Sequence, residues 1–393
     1  MARILCTVPP LVGHLNPALA VAKELEERGH EIAWAVHEDQ IGHLLPAGAQ
    51  LYSLTREGEV TADDRYVGLR GPESLQHFYG EYLPRLARKS FEGLSAALAA
   101  HRPDLLVVDQ HMVAGALAAR RERLPWVTLT TTSAAILEAS PPFESWVQEQ
   151  FQGVQDEFLS AELHVARPDL SPYGVIVFSI EELVTAGGGR AMIPCTYVGP
   201  AGGAARPEIE FPWDWLDPGL PVILATLGTV SRDSEPRFFE VLFEAVEGMA
   251  LQVVAVAPET LAAKAPRNVL VRPYIPQPEL LRQVAGVICH AGHNTVCEAL
   301  SMGVPLAVAP ILGDQPYVAR QVVGAGAGVP LRFGKVTVPM MRAAIERLLH
   351  DRELRRGAER LAEILRSAPG AAGAADAIEA VIAGGDPRGG TKG

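Results

Sequence analysis

The densest group of chemically capable residues lies between residues 289 and 315, which read CHAGHNTVCEALSMGVPLAVAPILGDQ. A strand-like apolar run ends just before His290, and a helix-like run begins near Thr295. The residues between them therefore lie where a helix N-terminus exposes unpaired backbone N–H groups and a positive dipole end. Gly292 allows close backbone approach, and Asn294 can donate to an anion. This arrangement predicts a phosphate-binding site.

Two other interpretations of the same stretch remain open. Thr295 and Glu298 have the spacing of a capping box, which satisfies a helix end without any ligand. His290 and His293 have the spacing of a metal-binding pair, but the sequence offers no third ligand at a suitable spacing. On this stretch alone, the capping box competes evenly with the phosphate site, and the metal pair is disfavoured.

A second group of residues lies in the first half of the chain. His14 follows the first apolar run, within GHLNP, and Asp109 ends the apolar run DLLVVD. In the doubly wound strand order 3-2-1-4-5-6 the first and fourth strands are neighbours, so both residues would lie at one sheet edge. A carboxylate bonded to one imidazole nitrogen leaves the other nitrogen free to take a proton from a hydroxyl. The pair predicts a general base. The alternatives are that His14 is a helix-capping or satisfied surface residue, or that His111 is the base.

The elements that must position these residues are short apolar runs alternating with helix-like segments. The helix after the first run is predicted to begin at Asn16-Pro17 and to stop at Gly29, with His14 in the preceding loop. The predicted strands cover residues 3–8, 31–36, 50–54, 104–109, 126–130 and 175–180, and later 222–227, 252–257, 269–271, 284–289 and 306–309. Strands this apolar, separated by helices, indicate parallel sheets covered on both faces.

A Gly/Pro-rich stretch without periodicity, residues 198–221, separates the two alternating halves and predicts a linker. We therefore predict an α/β protein of two doubly wound units. The predicted boundaries are an N-terminal domain at 1–200, a linker at 201–220, a C-terminal domain at 221–375, and a C-terminal helix with a mobile tail at 376–393. Ligands of such sheets bind at the carboxyl ends of the strands, which places the site in the cleft between the units.

The overall composition excludes several classes of partner. The 393 residues carry a formal net charge of -12, which argues against nucleic acid or an acidic membrane as a partner. No apolar run approaches the roughly 18 residues of a membrane span, so membrane insertion is not expected. Four scattered cysteines favour buried thiols in a reducing compartment, and we expect a cytoplasmic protein. Nothing in the sequence indicates an oligomeric state.

The ordered motifs resemble the donor-binding signature of the family 1 nucleotide-sugar glycosyltransferases. The matching elements, in order over about forty residues, are Tyr274-Ile-Pro-Gln277, the His-x-Gly-x-Asn-Thr-x-x-Glu run from 290 to 298, Gly303-Val-Pro305, Pro310 and Asp314-Gln315. Across essentially the whole chain the resemblance is to bacterial natural-product and macrolide glycosyltransferases. It implies the GT-B fold, in which two Rossmann-like doubly wound domains face a central cleft.

The resemblance also implies a role for each matching position. His14 would be the general base and Asp109 its partner, while Tyr274, where the family has tryptophan, would stack on the nucleobase. The remaining donor-binding positions are Gln277 and Glu298 for the ribose, His290, Gly292, Asn294 and Thr295 with Gly228 and Thr229 for the diphosphate, and Asp314 and Gln315 for the sugar. No chemistry is assigned to His293.

The function implied is inverting transfer of a sugar from a UDP- or dTDP-sugar to a hydroxyl of a small, apolar natural product. Direct displacement without an enzyme nucleophile predicts inversion at the anomeric carbon. The chain contains no Asp-x-Asp, so helix dipole and neutral donors are expected to replace a divalent ion, with no metal and no cofactor beyond the nucleotide-sugar co-substrate. Phe143 and Trp146, in an aromatic-rich segment, are candidates for the acceptor pocket, with core packing as the alternative.

Three other functions are weighed against this one. A nucleotide-sugar epimerase or hydrolase of the same fold would consume the donor without an acceptor. A non-catalytic partner protein would not need a complete donor signature, and a dehydrogenase would need a glycine fingerprint after the first strand, where this chain has PPLVGHLNP. Residues 324–328, GAGAG, look like such a glycine fingerprint, but they follow a helix and not a strand. They therefore predict a helix stop and a turn.

Overall fold

The structure, a computed structural model, describes residues 1–54, 69–202, 209–228 and 236–384. Within these residues the strands form two parallel sheets. The first contains β1 (Arg3–Thr7), β2 (Glu31–Val36), β3 (Gln50–Ser53), β4 (Leu105–Asp109), β5 (Trp126–Thr130), β6 (Val175–Val177) and β7 (Thr196–Tyr197). The second contains β8 (Val222–Thr226), β9 (Gln252–Val256), β10 (Val269–Arg272), β11 (Gly286–Cys289), β12 (Leu306–Val308) and β13 (Gly328–Pro330).

Helices cover both faces of the two sheets. Those of the first half are α1 (Val12–Glu27), α2 (Glu38–Ile41), α3 (Gly71–His77), a π-helical turn at Phe78–Tyr82, α4 (Leu83–His101), α5 (Val113–Arg121), α6 (Pro141–Phe158) and α7 (Glu181–Ala186). Those of the second half are α8 (Pro236–Val246), α9 (Gln277–Leu281), α10 (His293–Ser301), α11 (Gln315–Gly324), α12 (Val338–His350), α13 (Arg352–Ser367) and α14 (Gly370–Ile382). Short 3₁₀ turns lie at Gly42–Leu44, Ser133–Ile136, Ala161–Leu163, Trp213–Trp215, Glu259–Lys264 and Phe333–Lys335.

The strand orders are those of doubly wound sheets. In the first sheet the order is β3-β2-β1-β4-β5-β6-β7, and in the second it is β10-β9-β8-β11-β12-β13. Strand β4 is buried along its whole length because helices pack on both of its faces. The two-sheet α/β fold and the predicted neighbourhood of the first and fourth strands are both confirmed, with Thr7 in register with Val108.

The start of α1 corrects the sequence prediction. The helix begins at Val12 and not at Asn16-Pro17, so His14 lies in its first turn and not in a loop. Pro17 is therefore inside the helix, where it has no N–H to donate to the carbonyl of Gly13. The Asn294 side chain donates to this carbonyl at 3.1 Å. A residue 281 positions away replaces the hydrogen bond that the proline removes.

The glycine-rich stretch after α11 is a helix stop and turn, as predicted, but it leads into a strand that the sequence analysis overlooked. The helix ends at Gly324, and Gly326 has a positive φ of 71°. Strand β13 follows at Gly328–Pro330 and pairs with β12 at the sheet edge. Three residues that begin with glycine and end with proline form no apolar run, so the periodicity could not show this strand.

The last helix, α14, returns to the first half of the molecule. Its buried residues Ala374 and Ile378 belong to the core beneath the first sheet, together with Ile4. Arg28 of that half bonds to Glu379 at 2.7 Å. The domain boundaries remain a prediction, and the mobile tail proposed beyond residue 384 lies outside the described residues, as does part of the linker.

A membrane span was not expected from the sequence. Within the described ranges, no helix combines the length and the apolar character that crossing a bilayer requires.

Candidate functional site

A cavity of about 1170 Å³ lies between the two halves of the molecule, at the carboxyl ends of both sheets. Most of the predicted site residues line it: His14, Phe143, Gly228, Tyr274, Gln277, His290, Gly292, Asn294, Thr295, Glu298, Asp314 and Gln315. Asp109 lies behind His14, and Thr229 is outside the described residues. The structure thus brings the two groups of residues, far apart in the sequence, to one cavity.

His14 is held by two acceptors at the same ring nitrogen. Its Nδ1 is 2.9 Å from Asp109 Oδ2 and 2.6 Å from the Thr131 hydroxyl oxygen. A carboxylate can only accept, so Nδ1 carries the proton, and the hydroxyl of Thr131 accepts from it while facing Asp109 Oδ2 at 3.4 Å. This arrangement fixes the tautomer and leaves Nε2 without a proton, which is the state that a general base needs.

Asp109 is fully buried and nevertheless favours its charged form. Burial alone would raise the pKa of this carboxyl. The charge and the hydrogen bond of His14, together with the backbone N–H of His111 at 2.9 Å from Oδ1, outweigh burial and hold the pKa of Asp109 below its ordinary value. The carboxylate can therefore stabilise a positive charge on His14.

His111, the rival base, is disfavoured by its surroundings. Its ring centroid lies 4.4 Å from that of His14 and 4.7 Å from that of Phe78. Burial, followed by the nearby charge of His14, lowers the pKa of His111 to about 3, against the opposing effect of Asp109. A base that weak stays neutral at physiological pH and takes up a proton poorly, so His111 serves as a wall of the site.

The predicted phosphate cradle lies between β11 and α10. The helix begins at His293 with Gly292 as its N-cap, and no side chain caps it. Thr295 is therefore the third residue of the helix and not a capping residue, and Glu298 accepts from the Gln277 side chain at 2.8 Å. The capping-box alternative is wrong, because the N-cap is Gly292, three residues before Thr295.

The ring of His290 is packed between two glycines. A Cβ atom at Gly228 would lie 2.7 Å from His290 Nε2, and one at Gly292 would lie 2.4 Å from the same atom. Both positions must therefore be glycine for the ring to stay in place. Ala291, between His290 and Gly292 in the sequence, has a left-handed φ of 65°, a strained conformation in the turn after β11.

His290 is a neutral group at physiological pH. Burial lowers its pKa to about 4, against the opposing effect of Asp314. Its Nδ1 is buried and has no hydrogen-bond partner among the described residues. A neutral imidazole can donate one hydrogen bond to a phosphate oxygen without any change of protonation.

His293, to which the sequence analysis gave no role, connects the two halves of the molecule. It is buried, and its Nε2 lies 3.0 Å from the backbone carbonyl of Phe178, a residue that follows β6. The same nitrogen lies 3.5 Å from the Cys297 sulfur. The Nε2 of His293 is occupied by the Phe178 carbonyl, and among the described residues no group of three metal-ligating side chains includes His290 or His293. The structure therefore gives no support to the two histidines as a metal-binding pair.

The predicted donor-binding part of the cavity is exposed at one end and closed by hydrogen bonds at the other. Tyr274 stands at the rim with 59% of its surface exposed, as a ring that stacks on a ligand would. At the opposite end, Asp314 accepts a hydrogen bond from the hydroxyl of Thr132, which follows β5 in the first half. Gln315 is buried, and its side-chain oxygen accepts from two backbone N–H groups of its own loop.

The other half of the cavity contains a cluster of aromatic side chains. Phe78, Tyr79 and Tyr82 of the π-helical turn line it together with Phe143. Trp146 does not line the cavity: its ring packs against Phe143, with centroids 5.8 Å apart, and it is the nearest neighbour of Gly80. One of the two predicted acceptor-pocket aromatics therefore lies in the wall behind the surface.

Sequence reasoning missed two threonines that contact site residues. Thr131 bonds to His14, and Thr132 bonds to Asp314. A signal for them exists, since both directly follow β5, which is the neighbour of β4 in a doubly wound sheet and ends at the same edge. The missed aromatics Phe78 and Tyr79 have no such signal, because they lie on a helical turn far from any strand end.

Comparison with protein families agrees with this geometry. Residues 216–371 match the family described as UDP-glucoronosyl and UDP-glucosyl transferase. The matched region contains β8 to β13 and every predicted donor-binding residue, from Gly228 to Gln315.

Individual relatives extend the similarity to the whole chain. Demethyllactenocin mycarosyltransferase from Streptomyces fradiae is 28% identical over 97% of this chain and 87% of its own length. Among solved structures, the glycosyltransferase of kitacinnamycin has a TM-score of 0.78 at 24% identity, covering 96% of this chain and 98% of its own. Spinosyn rhamnosyltransferase SpnG, solved with thymidine diphosphate, has a TM-score of 0.73 at 20% identity over 96% of this chain and 100% of its own. The last two likenesses establish the GT-B fold.

Proposed function

Because the chain belongs to family 1 of the nucleotide-sugar glycosyltransferases, we propose that it transfers a sugar from a UDP- or dTDP-sugar to a hydroxyl of a small, apolar natural product, with inversion at the anomeric carbon. One observation carries the proposal. His14, poised by Asp109, lines the same cavity as the donor-binding residues. A base and a donor site that share a cavity can act on a single pair of substrates.

The proposed reaction is one displacement. The acceptor hydroxyl gives its proton to His14 Nε2 while its oxygen forms a bond to the anomeric carbon, and the bond from that carbon to the diphosphate oxygen breaks. The electron pair of the broken bond leaves with the nucleoside diphosphate. Asp109 stabilises the imidazolium that forms, and the proton later passes to solvent or to the leaving diphosphate.

The donor diphosphate would bind at the N-terminus of α10. Unpaired backbone N–H groups there and the helix dipole favour an anion, and Gly292 permits its close approach. His290 would donate to one phosphate oxygen and Thr295 to another, with the backbone of Gly228 beside the His290 ring. Thr229 stays a predicted phosphate contact outside the described residues. The Asn294 side chain already bonds to the Gly13 carbonyl, so we assign its part in phosphate binding to the backbone N–H.

The nucleoside and the sugar would lie at opposite ends of this cradle. Tyr274 is exposed for stacking on the base, and Gln277 with Glu298 would take the ribose hydroxyls. Asp314 and Gln315 would hold hydroxyls of the sugar. A tyrosine offers a smaller stacking face than the family's tryptophan, so both uracil and thymine nucleotides belong in a test; SpnG, a relative in fold, was solved with thymidine diphosphate.

We propose that no divalent ion takes part. A helix N-terminus and a neutral histidine supply the positive potential that an ion would otherwise give to the leaving diphosphate. The cluster of His14, Asp109 and His111 has ligand atoms within 4.8 Å of one another, but direct hydrogen bonds account for its closest contacts.

The acceptor would occupy the aromatic half of the cavity. The rings of Phe78, Tyr79 and Phe143 offer apolar faces, which favour an aglycone with extended apolar surface. The mycarosyltransferase relative is named for transfer to demethyllactenocin, and this supports including that compound among the candidate acceptors.

The proposal predicts a glycosylated product from a defined panel. We expect UDP- or dTDP-sugars, incubated with a set of phenols and macrolides, to give a product heavier than the acceptor by one sugar residue in mass spectrometry. The rate should be the same, within about twofold, with and without a chelator, because no divalent ion is needed.

The outcomes of this panel separate the alternatives. Donor consumption at equal rates with and without acceptor would indicate a hydrolase or epimerase of the same fold. Binding of nucleotides without any turnover would indicate a non-catalytic protein. Loss of transfer on chelation would overturn the metal-independent mechanism while leaving the transferase activity in place.

A further inference from the structure

Residues 311–315, here called the sugar loop, include Asp314 and Gln315, the two residues that we assign to the donor sugar. It is held on its inner side by its own chain: the Gln315 side-chain oxygen accepts from the backbone N–H of Ile311 at 2.8 Å and of Leu312 at 3.1 Å. These bonds fix the loop against its own half of the molecule. They do not fix it relative to His14, which belongs to the other half.

The outer side of the sugar loop is bonded to α3, a helix of the first half. The backbone N–H of Gly313 donates to Ser74 Oγ at 3.0 Å, and Ser74 Oγ donates to the carbonyl of Gly71 at 2.6 Å. The backbone N–H of Gly71 also faces the carbonyl of Ile311 at 3.4 Å. Ser74 is completely buried, so its hydroxyl has no access to water as an alternative partner.

The geometry around this hydroxyl is specific. Gly313 has a left-handed φ of 58°, which favours glycine and turns its N–H out of the loop. Gly71, at the start of α3, has a φ of 54°. Two backbone positions of unusual conformation therefore meet at one serine oxygen, which acts once as acceptor and once as donor.

Helix α3 also belongs to the acceptor half of the cavity. Leu75, the residue after Ser74, lines the cavity, and the π-helical turn that follows α3 supplies Phe78 and Tyr79. Phe78 packs against His111, which in turn packs against His14. A continuous set of contacts thus runs from the base to the sugar loop through Ser74.

We propose that Ser74 is a positioning residue. By bonding the sugar loop to α3, the helix that leads into the aromatic residues of the cavity, it sets the distance between the donor sugar and His14. This inference rests on the proposed function, because it needs a donor sugar at Asp314. Ser74 does not touch the sugar itself. Its removal leaves the N–H of Gly313 without its side-chain acceptor. The loop that carries Asp314 then keeps its Thr132–Asp314 and Gly71–Ile311 hydrogen bonds to the first half but loses the bond at Gly313, so its place relative to the base is less precisely fixed.

The test is Ser74→Ala, measured by steady-state kinetics at saturating acceptor. We expect kcat/KM for the nucleotide sugar to fall by about tenfold, since the anomeric carbon is misplaced relative to the base. Inhibition by UDP or dTDP alone should change by less than about twofold, because neither nucleotide reaches the sugar loop. Ser74→Thr, which keeps the hydroxyl, should restore a large part of the lost kcat/KM.

The matched control is Ser171→Ala. Ser171 is also buried, and its hydroxyl donates to the Trp126 carbonyl at 2.5 Å and accepts from the N–H of Tyr173 at 3.0 Å. Those partners all belong to the first half, so this variant changes thermal stability without changing kcat/KM. If Ser74→Ala does not fold, Ser74→Cys, with nearly the same shape and a weak donor, is measured in its place with the same expectation.

Equal kcat/KM in wild type and Ser74→Ala would overturn the inference. A parallel loss of nucleotide affinity would also overturn it, since Ser74 would then be a general structural residue. Failure of the proposed function gives a different result, because the wild-type protein itself would then make no glycoside.

Discussion

Replacing His14 with alanine is expected to lower the rate of sugar transfer by about 10³-fold, within the range known for removal of a general base. The reason is the geometry at Nδ1, where Asp109 and Thr131 both hold the ring and leave Nε2 as the proton acceptor. Nucleotide affinity should stay within about twofold of wild type, because the predicted donor-binding residues belong to the second half of the molecule. Transfer is measured with the acceptor identified from the panel, and nucleotide affinity by calorimetry.

The matched control for this variant is His350→Ala. His350 lies at the end of α12, is largely exposed and pairs with Glu346, so its removal should leave both transfer and nucleotide affinity unchanged. A His14→Ala protein that loses nucleotide binding would show that His14 supports the donor site. Near-normal transfer in that variant would remove His14 from the chemistry.

Replacing Asp109 with asparagine is expected to lower transfer by about 10²-fold, a smaller loss because Thr131 still accepts from His14 Nδ1. The amide has nearly the same shape as the carboxylate, so packing in the buried site is kept. It has no charge, however, and cannot stabilise the imidazolium that forms when His14 takes the acceptor proton. Because the pKa of Asp109 is held below its ordinary value, its carboxylate is charged throughout the neutral pH range, and the loss should not vary there.

Asp104→Asn provides a control at the opposite end of the same strand. Asp104 precedes β4 and accepts from the backbone N–H of Arg3 at 2.8 Å, far from the cavity. Its replacement should leave transfer unchanged. Turnover near the wild-type rate in Asp109→Asn would mean that His14 works without its carboxylate partner.

Much of the fold was predictable from the sequence. The strands are continuous apolar runs because both of their faces are buried, and this pattern is visible without any structure; the predicted β2 and β5 coincide with Glu31–Val36 and Trp126–Thr130. The donor half of the site was predictable as well. Its residues follow β11 within one short motif, so a single local arrangement places them.

The contacts between the two halves were not predictable. Ser74 and Gly313 are 239 positions apart, and Thr132 and Asp314 are 182 apart. Such pairs depend on how two sheets face each other, which no periodicity or local motif records. The start of α1 was predicted wrongly for the same reason. Proline is disfavoured in a helix interior on local grounds, but here the Asn294 side chain of the other half donates to the Gly13 carbonyl in place of the missing proline N–H.

The aromatic residues around the proposed acceptor site were predictable in part. The aromatic composition of residues 133–164 indicated an apolar pocket, and Phe143 does line it. The same composition could not distinguish Phe143 from Trp146, since both lie on α6 and the difference lies in their packing. Trp146 packs against Phe143 and lies next to Gly80, behind the residues that line the cavity. The positions of the Phe78 and Tyr79 rings depend on the π-helical turn, which no pattern in the sequence indicates clearly.

The central claim is a single displacement in which a base of the protein, and no nucleophile of the protein, acts on the acceptor. The most direct measurement is the anomeric configuration of the first-formed product, determined by NMR from a donor of known configuration. An α-linked donor should give a β-glycoside and a β-linked donor an α-glycoside. Retention of the donor's configuration would contradict the claim, because it would require a second displacement or another mechanism at the same site.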